Sequence, residues 1–340
     1  MNFNSKYIES GTYGCVIKPG YKCKDNNFPL DKTVSKLFSD KKEWNYEIEQ
    51  NKKINEIDKT NIFTVKMKSN CEISKDYIIK NVKNIDKCSI VYEDDRIYEI
   101  VYEDGGYDLR HLIIKNHILE RYPNFNIKDF LILLKNIFDG LYNIELLGLS
   151  HRDIKVDNLL FNGNKISLID FGLMIEKNKI FDYKTLHMYL ESNIYYYPNE
   201  LKLYAIKKLN HSFNNITLYS SNLIYMLEKF ILNNKNTNSN QLYLTEIRKI
   251  INKIKKDASE YLTFFKKTKQ EFDLKKFEKV DVYLLGVVLI EILLYITIYI
   301  PKFIIKQELF KLVSQMLEID PFKRISMKDA KDLYRQIIND

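Results

Sequence analysis

Two short stretches, H-R-D-I-K-V-D-N-L-L from His151 to Leu160 and I-D-F-G from Ile169 to Gly172, constrain this chain more than anything else in it. An aspartate (Asp153) is followed two residues on by a lysine (Lys155) and five residues on by an asparagine (Asn158). A second aspartate (Asp170) closes a short apolar run. A turn followed by a helix cap would account for H-R-D alone. It leaves Asn158 and Asp170 unexplained, both of which offer hard oxygen ligands of the kind a small divalent cation prefers.

The rest of the chain gives these residues a folded setting. With 340 residues it can form one large domain or two ordinary ones. A hydrophobic share of 45% beside 29% charged residues excludes a disordered chain. The net charge of +8 is spread through lysine-rich helical stretches, which reads as a solvated face. No nucleic-acid reader motif accompanies it, so no nucleic-acid partner is expected. Cys15, Cys23, Cys71 and Cys88 form no C-x-x-C pair. Their irregular spacing leads us to expect free thiols in a reducing, intracellular compartment. The opening M-N-F-N-S-K-Y lacks the apolar region of a signal peptide. The apolar run Val282 to Ile300 contains Glu291 and precedes Pro301. It is expected to be a buried core helix, not a membrane span.

Short strands are expected over Lys6 to Ile17, Thr33 to Phe38, Tyr77 to Ile79, Ser89 to Tyr92 and Arg96 to Tyr102. One helix, Lys41 to Ile57, interrupts them. After Asp104-Gly105-Gly106 the apolar spacing becomes helical, over Asp108 to Arg121 and Ile127 to Leu147. Later helices are expected at about 218–232 and 242–265, around the polar loop Asn233 to Gln241. A strand-rich part thus precedes a helix-rich part, and a cleft between them is the natural place for a ligand.

The catalytic-loop and D-F-G residues together resemble the eukaryotic protein-kinase family. The resemblance implies a bilobal α+β fold over residues 1–340. A small antiparallel β-rich lobe with one helix spans 1–101, a hinge spans 102–107, and a mainly helical lobe spans 108–340. It implies ATP and Mg, with Mn as an alternative metal. Asp153 would orient the substrate hydroxyl and take its proton, Lys155 would contact the transferring phosphoryl group, and Asn158 and Asp170 would hold the metal.

The same resemblance assigns Lys36 of V-S-K-L-F to the α- and β-phosphates, steadied by a helix glutamate. Glu43, Glu47 and Glu49 are the candidates, and Glu47 fits the pattern best. Tyr102 would guard the rear of the adenine pocket, Glu103 and Gly105 would offer backbone groups to adenine, and Asp108 would reach the ribose. Ile8, Val34 and Leu160 complete the nucleotide-binding set. Glu200 of Y-Y-Y-P-N-E matches the family's A-P-E glutamate and should pair with Arg324. Asp281 should anchor the catalytic-loop backbone.

I-E-S-G-T-Y-G-C-V, Ile8 to Val16, is then read as a phosphate lid, with Gly11, Thr12, Tyr13, Gly14 and Val16 over the nucleotide. Glu9 stands where the family has its first glycine, at the loop's entry, and is expected to point to solvent and to weaken ATP affinity. Asn193, beside Ser192, replaces the family's threonine seven residues before the A-P-E glutamate. Arg152 before the catalytic aspartate matches kinases switched on by activation-segment phosphorylation. Tyr183, Thr185, Tyr189 and Ser192 lie in that segment, and constitutive activity is equally open. Residues 203–276 form an expected helical insertion, either a solvated surface or a docking site for an acidic partner.

The expected function is a serine/threonine protein kinase acting on protein hydroxyls. A pseudokinase scaffold and a small-molecule kinase of related fold are the alternatives. The G-T-Y-G-C-V-I-K-P-G-Y-K-C opening and the Asn/Ile/Lys/Tyr bias resemble kinases of large DNA viruses of the mimivirus type. That narrower resemblance implies a viral protein of the host cytoplasm or the virion.

Overall fold

The computed structural model describes residues 5–11, 14–21, 23, 28–89, 96–177, 179, 183–191, 194–211, 218–235, 237, 239–267 and 277–339. The chain divides into two compact units, one of Met1–Tyr107 with Leu160–Gly172, the other of Asp108–Leu159 with Leu173–Asp340. The first carries an antiparallel sheet and the second is mostly helical, the α+β composition expected.

In the first unit β1 (Lys6–Gly11), β2 (Gly14–Lys18), β3 (Thr33–Phe38), β4 (Met67–Ser74) and β5 (Arg96–Glu103) form one sheet in the order β1-β2-β3-β5-β4. Alternation in β3 sends Val34, Lys36 and Phe38 to one face and Ser35 and Leu37 to the other. Register then decides which neighbours join them. Val16 pairs with Lys36, Val34 with Tyr102, and Lys36 with Ile100, so these residues share a face. Helix α1 (Lys41–Ile57) covers that face with Trp44 and Ile48 against Phe38, Tyr98 and Ile100. Asp40 caps α1 by accepting from Lys42 N at 2.7 Å. Beyond it, buried Asp58 accepts from the amides of Ile62, Phe63 and Thr64 and fixes the exit loop.

Three expectations need correction here. Tyr77–Ile79 is not a strand but part of helix α2 (Lys75–Asn81), and only Ile78 of the helix is buried. The strand before it, β4, is an edge strand with mixed polar residues, so neither its alternation nor its apolar content announced it. Of the expected strand Ser89–Tyr92, residues 90–92 lie outside the described residues and Ser89 is not extended. The cysteines are not free thiols: Cys15 bonds Cys88 and Cys23 bonds Cys71, at Cα separations of 6.0 and 5.9 Å. Pairing across 73 and 48 residues leaves no local spacing signal, because folding brings a strand residue, Cys15 or Cys71, against one outside the strands, Cys88 or Cys23.

In the second unit, Asp108–Arg121 is not one helix. A wide helical turn at Arg110–Ile114 and the short α3 (Ile118–Arg121) are separated at Asn116, whose φ is +57°. Helix α4 (Ile127–Leu146) packs on α11 (Met327–Asn339), with Phe138 stacked on Tyr334 at 4.2 Å. Helices α5 (Tyr183–Glu191), α6 (Asn199–Lys208), α7 (Tyr219–Asn233) and α8 (Gln241–Lys267) lie between the D-F-G region and the central helix. Both α7 and α8 fall within the expected insertion. Helix α9 (Val280–Tyr299) is long and apolar enough to cross a membrane, yet 94% of its most apolar window is buried inside the protein. Helix α10 (Gln307–Met316) lies against it, where a Cβ on Gly286 would stand 2.9 Å from Met316 Cβ.

Candidate active site

The first unit holds one half of the predicted machinery. Lys36 Nζ lies 2.5 Å from Glu47 Oε2 and 3.9 Å from Asp170 Oδ1. Of the three candidate glutamates, Glu47 is the one on the buried face of α1, one turn from Trp44 and beside Ile48. Its second oxygen accepts from the Tyr102 hydroxyl at 2.8 Å, and Asn51 donates to that hydroxyl at 3.0 Å. Burial alone would lower the Lys36 pKa. The carboxylates of Asp170 and Glu47 outweigh it and raise the pKa, so the ammonium stays charged.

Asp170 reaches Lys36 because its segment is tied into the same unit. Leu168 N donates to Phe63 O at 2.7 Å, and Lys165 Nζ caps the carbonyls of Asn61 and Thr64 at 3.0 and 2.7 Å. Asp170 itself has φ +62°, a left-handed conformation uncommon for a non-glycine residue. Such conformations concentrate where a side chain must be aimed.

The glycine stretch is a hairpin, with Glu9 opposite Val16, Ser10 opposite Cys15 and Gly11 opposite Gly14, after an irregularity between Tyr7 and Glu9. Glu9 and Ile8 are exposed, and Thr12 and Tyr13 lie outside the described residues. Gly14 has a packing reason of its own: a Cβ there would stand 2.4 Å from the Leu37 carbonyl oxygen on β3. Val16, Val34, Lys36 and Tyr102 share the α1 face of the sheet, whereas the disulfides occupy the other.

At the end of β5, Glu103 donates its amide to Lys66 O at 3.0 Å and pairs its carboxylate with Lys68. Its remaining backbone group is the carbonyl. Gly105 packs on Leu160, since a Cβ would lie 2.5 Å from Leu160 Cδ1. Asp108, predicted to reach a ribose, accepts from His111 N at 2.7 Å and caps the Arg110–Ile114 turn in the second unit.

That unit holds the other half. The strand Leu149–Ser150 pairs with Ile175–Glu176 and leads into the catalytic-loop segment. Asp281, at the start of α9, accepts from His151 N at 2.7 Å and Arg152 N at 2.8 Å. These two bonds hold Arg152 at φ +64°. Asp153 is 6% exposed and densely bonded. Lys155 Nζ reaches its two oxygens at 3.1 and 2.8 Å, and Asn158 Nδ2 reaches Oδ2 at 2.8 Å. Asn158 Nδ2 also donates to the Asp153 carbonyl at 2.8 Å. With its amide donors spent there, the Asn158 carboxamide oxygen is the atom available to a cation. Asp170, with a side chain 40% exposed, offers a carboxylate. Each of the two, within its own unit, offers a hard oxygen of the kind Mg²⁺ prefers.

Arg324 and Glu200 form a fully buried pair at 2.6 and 3.3 Å. Arg324 also donates to the carbonyls of Glu318 and Lys279 and sits 4.9 Å from the Tyr283 ring centroid. Among the activation-segment residues, Tyr189 is buried at the end of α5, the Tyr183 backbone is helical, and Ser192 and Asn193 lie outside the described residues.

Sequence reasoning missed a tyrosine cluster beside the loop. Tyr196 Oη donates to Asp153 Oδ1 at 3.1 Å and accepts from Lys155 Nζ at 3.2 Å. Tyr195 Oη donates to Glu291 Oε1 at 2.8 Å and accepts from Arg110, whose guanidinium also grips Asp157 at 2.5 and 2.8 Å. Burial pushes Glu291 up to about 7. Burial and neighbouring Asp153 hold the Tyr196 hydroxyl far above its ordinary range, so it stays protonated. The only sequence signal was Y-Y-Y, which does not say which tyrosine faces the loop.

The protein kinase domain family matches residues 4–334. The probable serine/threonine-protein kinase fnkB of Dictyostelium discoideum is 29% identical over 37% of this chain and 24% of its own length. Calcium-dependent protein kinase 3 of Plasmodium yoelii yoelii is 29% identical over 54% of this chain and 29% of its own. The nitrogen permease reactivator protein of Saccharomyces cerevisiae is 32% identical over 31% and 13%. The chain therefore spans less than a third of the length of these relatives. The match over residues 4–334 extends across nearly the whole sequence, and the chain belongs to the protein kinase domain family.

Proposed function

We propose that this chain transfers the γ-phosphoryl group of ATP to serine or threonine hydroxyls of protein substrates. The observation that carries the reading is the Asp153 cluster, a buried carboxylate held by Lys155 and Asn158 on a backbone pinned by Asp281. Such a carboxylate can orient an incoming hydroxyl and accept its proton, while Lys155 places positive charge beside the transferring group. Lys36, kept charged by Asp170 and Glu47, supplies a cation for the α- and β-phosphates. Asn158 and Asp170 would hold Mg²⁺, which when bound neutralises charge on the phosphates.

Lys155 in the catalytic loop supports serine/threonine acceptors. The names of two similar proteins, fnkB and the serine/threonine-protein kinase PRR2 of Saccharomyces cerevisiae, point the same way. The likeness of the glycine stretch to kinases of large DNA viruses is part of the same proposal and rests on G-T-Y-G-C-V and the residue bias alone.

The test is incubation of purified protein with labelled ATP, magnesium and generic protein substrates beside an Asp153→Asn control. Label on Ser or Thr that vanishes in the control is the expected result. ATP binding without transfer under any metal would instead favour a pseudokinase scaffold, for which the intact Lys36, Asp153, Asn158 and Asp170 give no reason.

A further inference from the structure

The Asp153 carboxylate receives a bond from outside its own loop. Tyr196, from the segment just before α6, donates to Oδ1 at 3.1 Å while its oxygen accepts from Lys155 Nζ at 3.2 Å. Its ring also lies under that ammonium, 5.3 Å from centroid to Nζ. A phenol has one proton to give and lone pairs to receive with, so a single Oη serves the anion and the cation at once. Lys155 by itself is a point charge on a flexible stem with rotatable donors, and nothing in its own chemistry fixes where it stands beside Asp153.

The tyrosine is itself held. Its ring meets Tyr195 and Tyr197 edge-on at 5.5 and 4.9 Å. Tyr195 is fastened to Glu291 on the central helix and to Arg110, which in turn holds Asp157 of the catalytic loop. Tyr197 packs on Tyr189 at 5.1 Å and on Tyr219 at 5.7 Å. A side chain anchored on both flanks and 9% exposed is built to stay, not to swing aside for an incoming substrate.

We propose that Tyr196 is a positioning residue for phosphoryl transfer, setting the Asp153 carboxylate and the Lys155 ammonium in their working geometry through its hydroxyl. The proposal rests on the kinase reading above. Loss of the hydroxyl leaves Asp153 with Lys155 and Asn158 and frees the lysine to rotate, so the chemical step slows while nucleotide binding does not change. A misplacement on the scale of an ångström can cost roughly a hundredfold in rate.

The experiment compares wild type with Tyr196→Phe and with 4-aminophenylalanine introduced at position 196, which keeps a donor on the same ring. Peptide phosphorylation gives kcat and KM for both substrates, and thermal melting checks the fold. We expect kcat of Tyr196→Phe to fall roughly tenfold to a hundredfold, with the KM for ATP and the melting temperature near wild type. The amino analogue should recover much of the loss. Unchanged kcat in Tyr196→Phe would reduce the tyrosine to packing and overturn the proposal. A raised kcat/KM for the peptide would make it a displaceable cap, and phosphotyrosine at 196 after Mg-ATP treatment would make it an acceptor; either result also overturns it. Wild type without any transfer would sink the kinase reading itself, an outcome distinct from an active wild type matched by Tyr196→Phe.

Discussion

Tyr102 donates its hydroxyl to Glu47 at 2.8 Å, completing the grip on a carboxylate whose other oxygen lies 2.5 Å from Lys36. Strand β5, strand β3 and helix α1 are thereby joined through one buried acid. The position expected to line the rear of a nucleotide pocket thus also steadies the carboxylate that pairs with Lys36.

Replacing the acid should therefore matter more than replacing the phenol. Glu47→Gln removes a charge-assisted bond worth about 1.5–3 kcal/mol, which converts to roughly 10–100-fold in kcat/KM if it is felt in the transition state. Tyr102→Phe removes a neutral donor and should cost about 1 kcal/mol of stability, with transfer changed by a few-fold at most. Steady-state kinetics with urea unfolding of each variant checks both.

The Glu200–Arg324 pair is inaccessible to solvent on both sides. Arg324→Met would strand the Glu200 carboxylate and should destabilise the fold by about 3–5 kcal/mol. Adding Glu200→Gln removes the stranded charge and should recover a substantial part of that loss. Denaturant titration of the single and double variants reads the difference, and equal stabilities would show that the pair is not the anchor its burial indicates.

Glu99 on β5 is fully buried on the sheet face opposite Lys36, and burial pushes its pKa up to about 8. Its neighbours are Tyr21 N at 3.1 Å, Ser35, and the sulfur atoms of Cys23 and Cys71 at 3.6 and 3.5 Å, with no cation among the described residues in contact. The folded state then holds a proton that the unfolded chain releases near the ordinary carboxylate range. Stability from this group is present below that range and is lost as pH rises through about 8. Melting temperature should fall from pH 5 to pH 8, and Glu99→Gln should flatten the slope.

The two disulfides close separations of 73 and 48 residues within the first unit. In the chain-entropy account, loops of this order are each worth about 4 kcal/mol. Non-reducing peptide mapping should recover the Cys15–Cys88 and Cys23–Cys71 peptides. Reduction should lower the melting temperature, and replacement of either pair by alanine should reproduce part of the fall.

The sequence by itself determined what depends on short, fixed offsets. Within H-R-D-I-K-V-D-N and within D-F-G the residues lie a few positions from one another. Helix α4 declares itself through apolar spacing over several turns, α9 through a long apolar run and α1 through an acidic start followed by lysines. Lys36, Glu47, Glu200, Arg324 and Asp281 could be named because the family pattern places them, and the structure pairs the first two, pairs the next two and puts the last on the loop backbone. Tertiary structure decided what no local offset carries. The disulfide partners become neighbours only when distant segments pack against the sheet, and β4 is a strand because β5 accepts it, its own residues being largely polar. Tyr195, Tyr196 and Tyr197 are chemically identical in the sequence. One reaches Glu291, one reaches Asp153 and one packs on Tyr189, because a folded backbone points successive side chains in different directions.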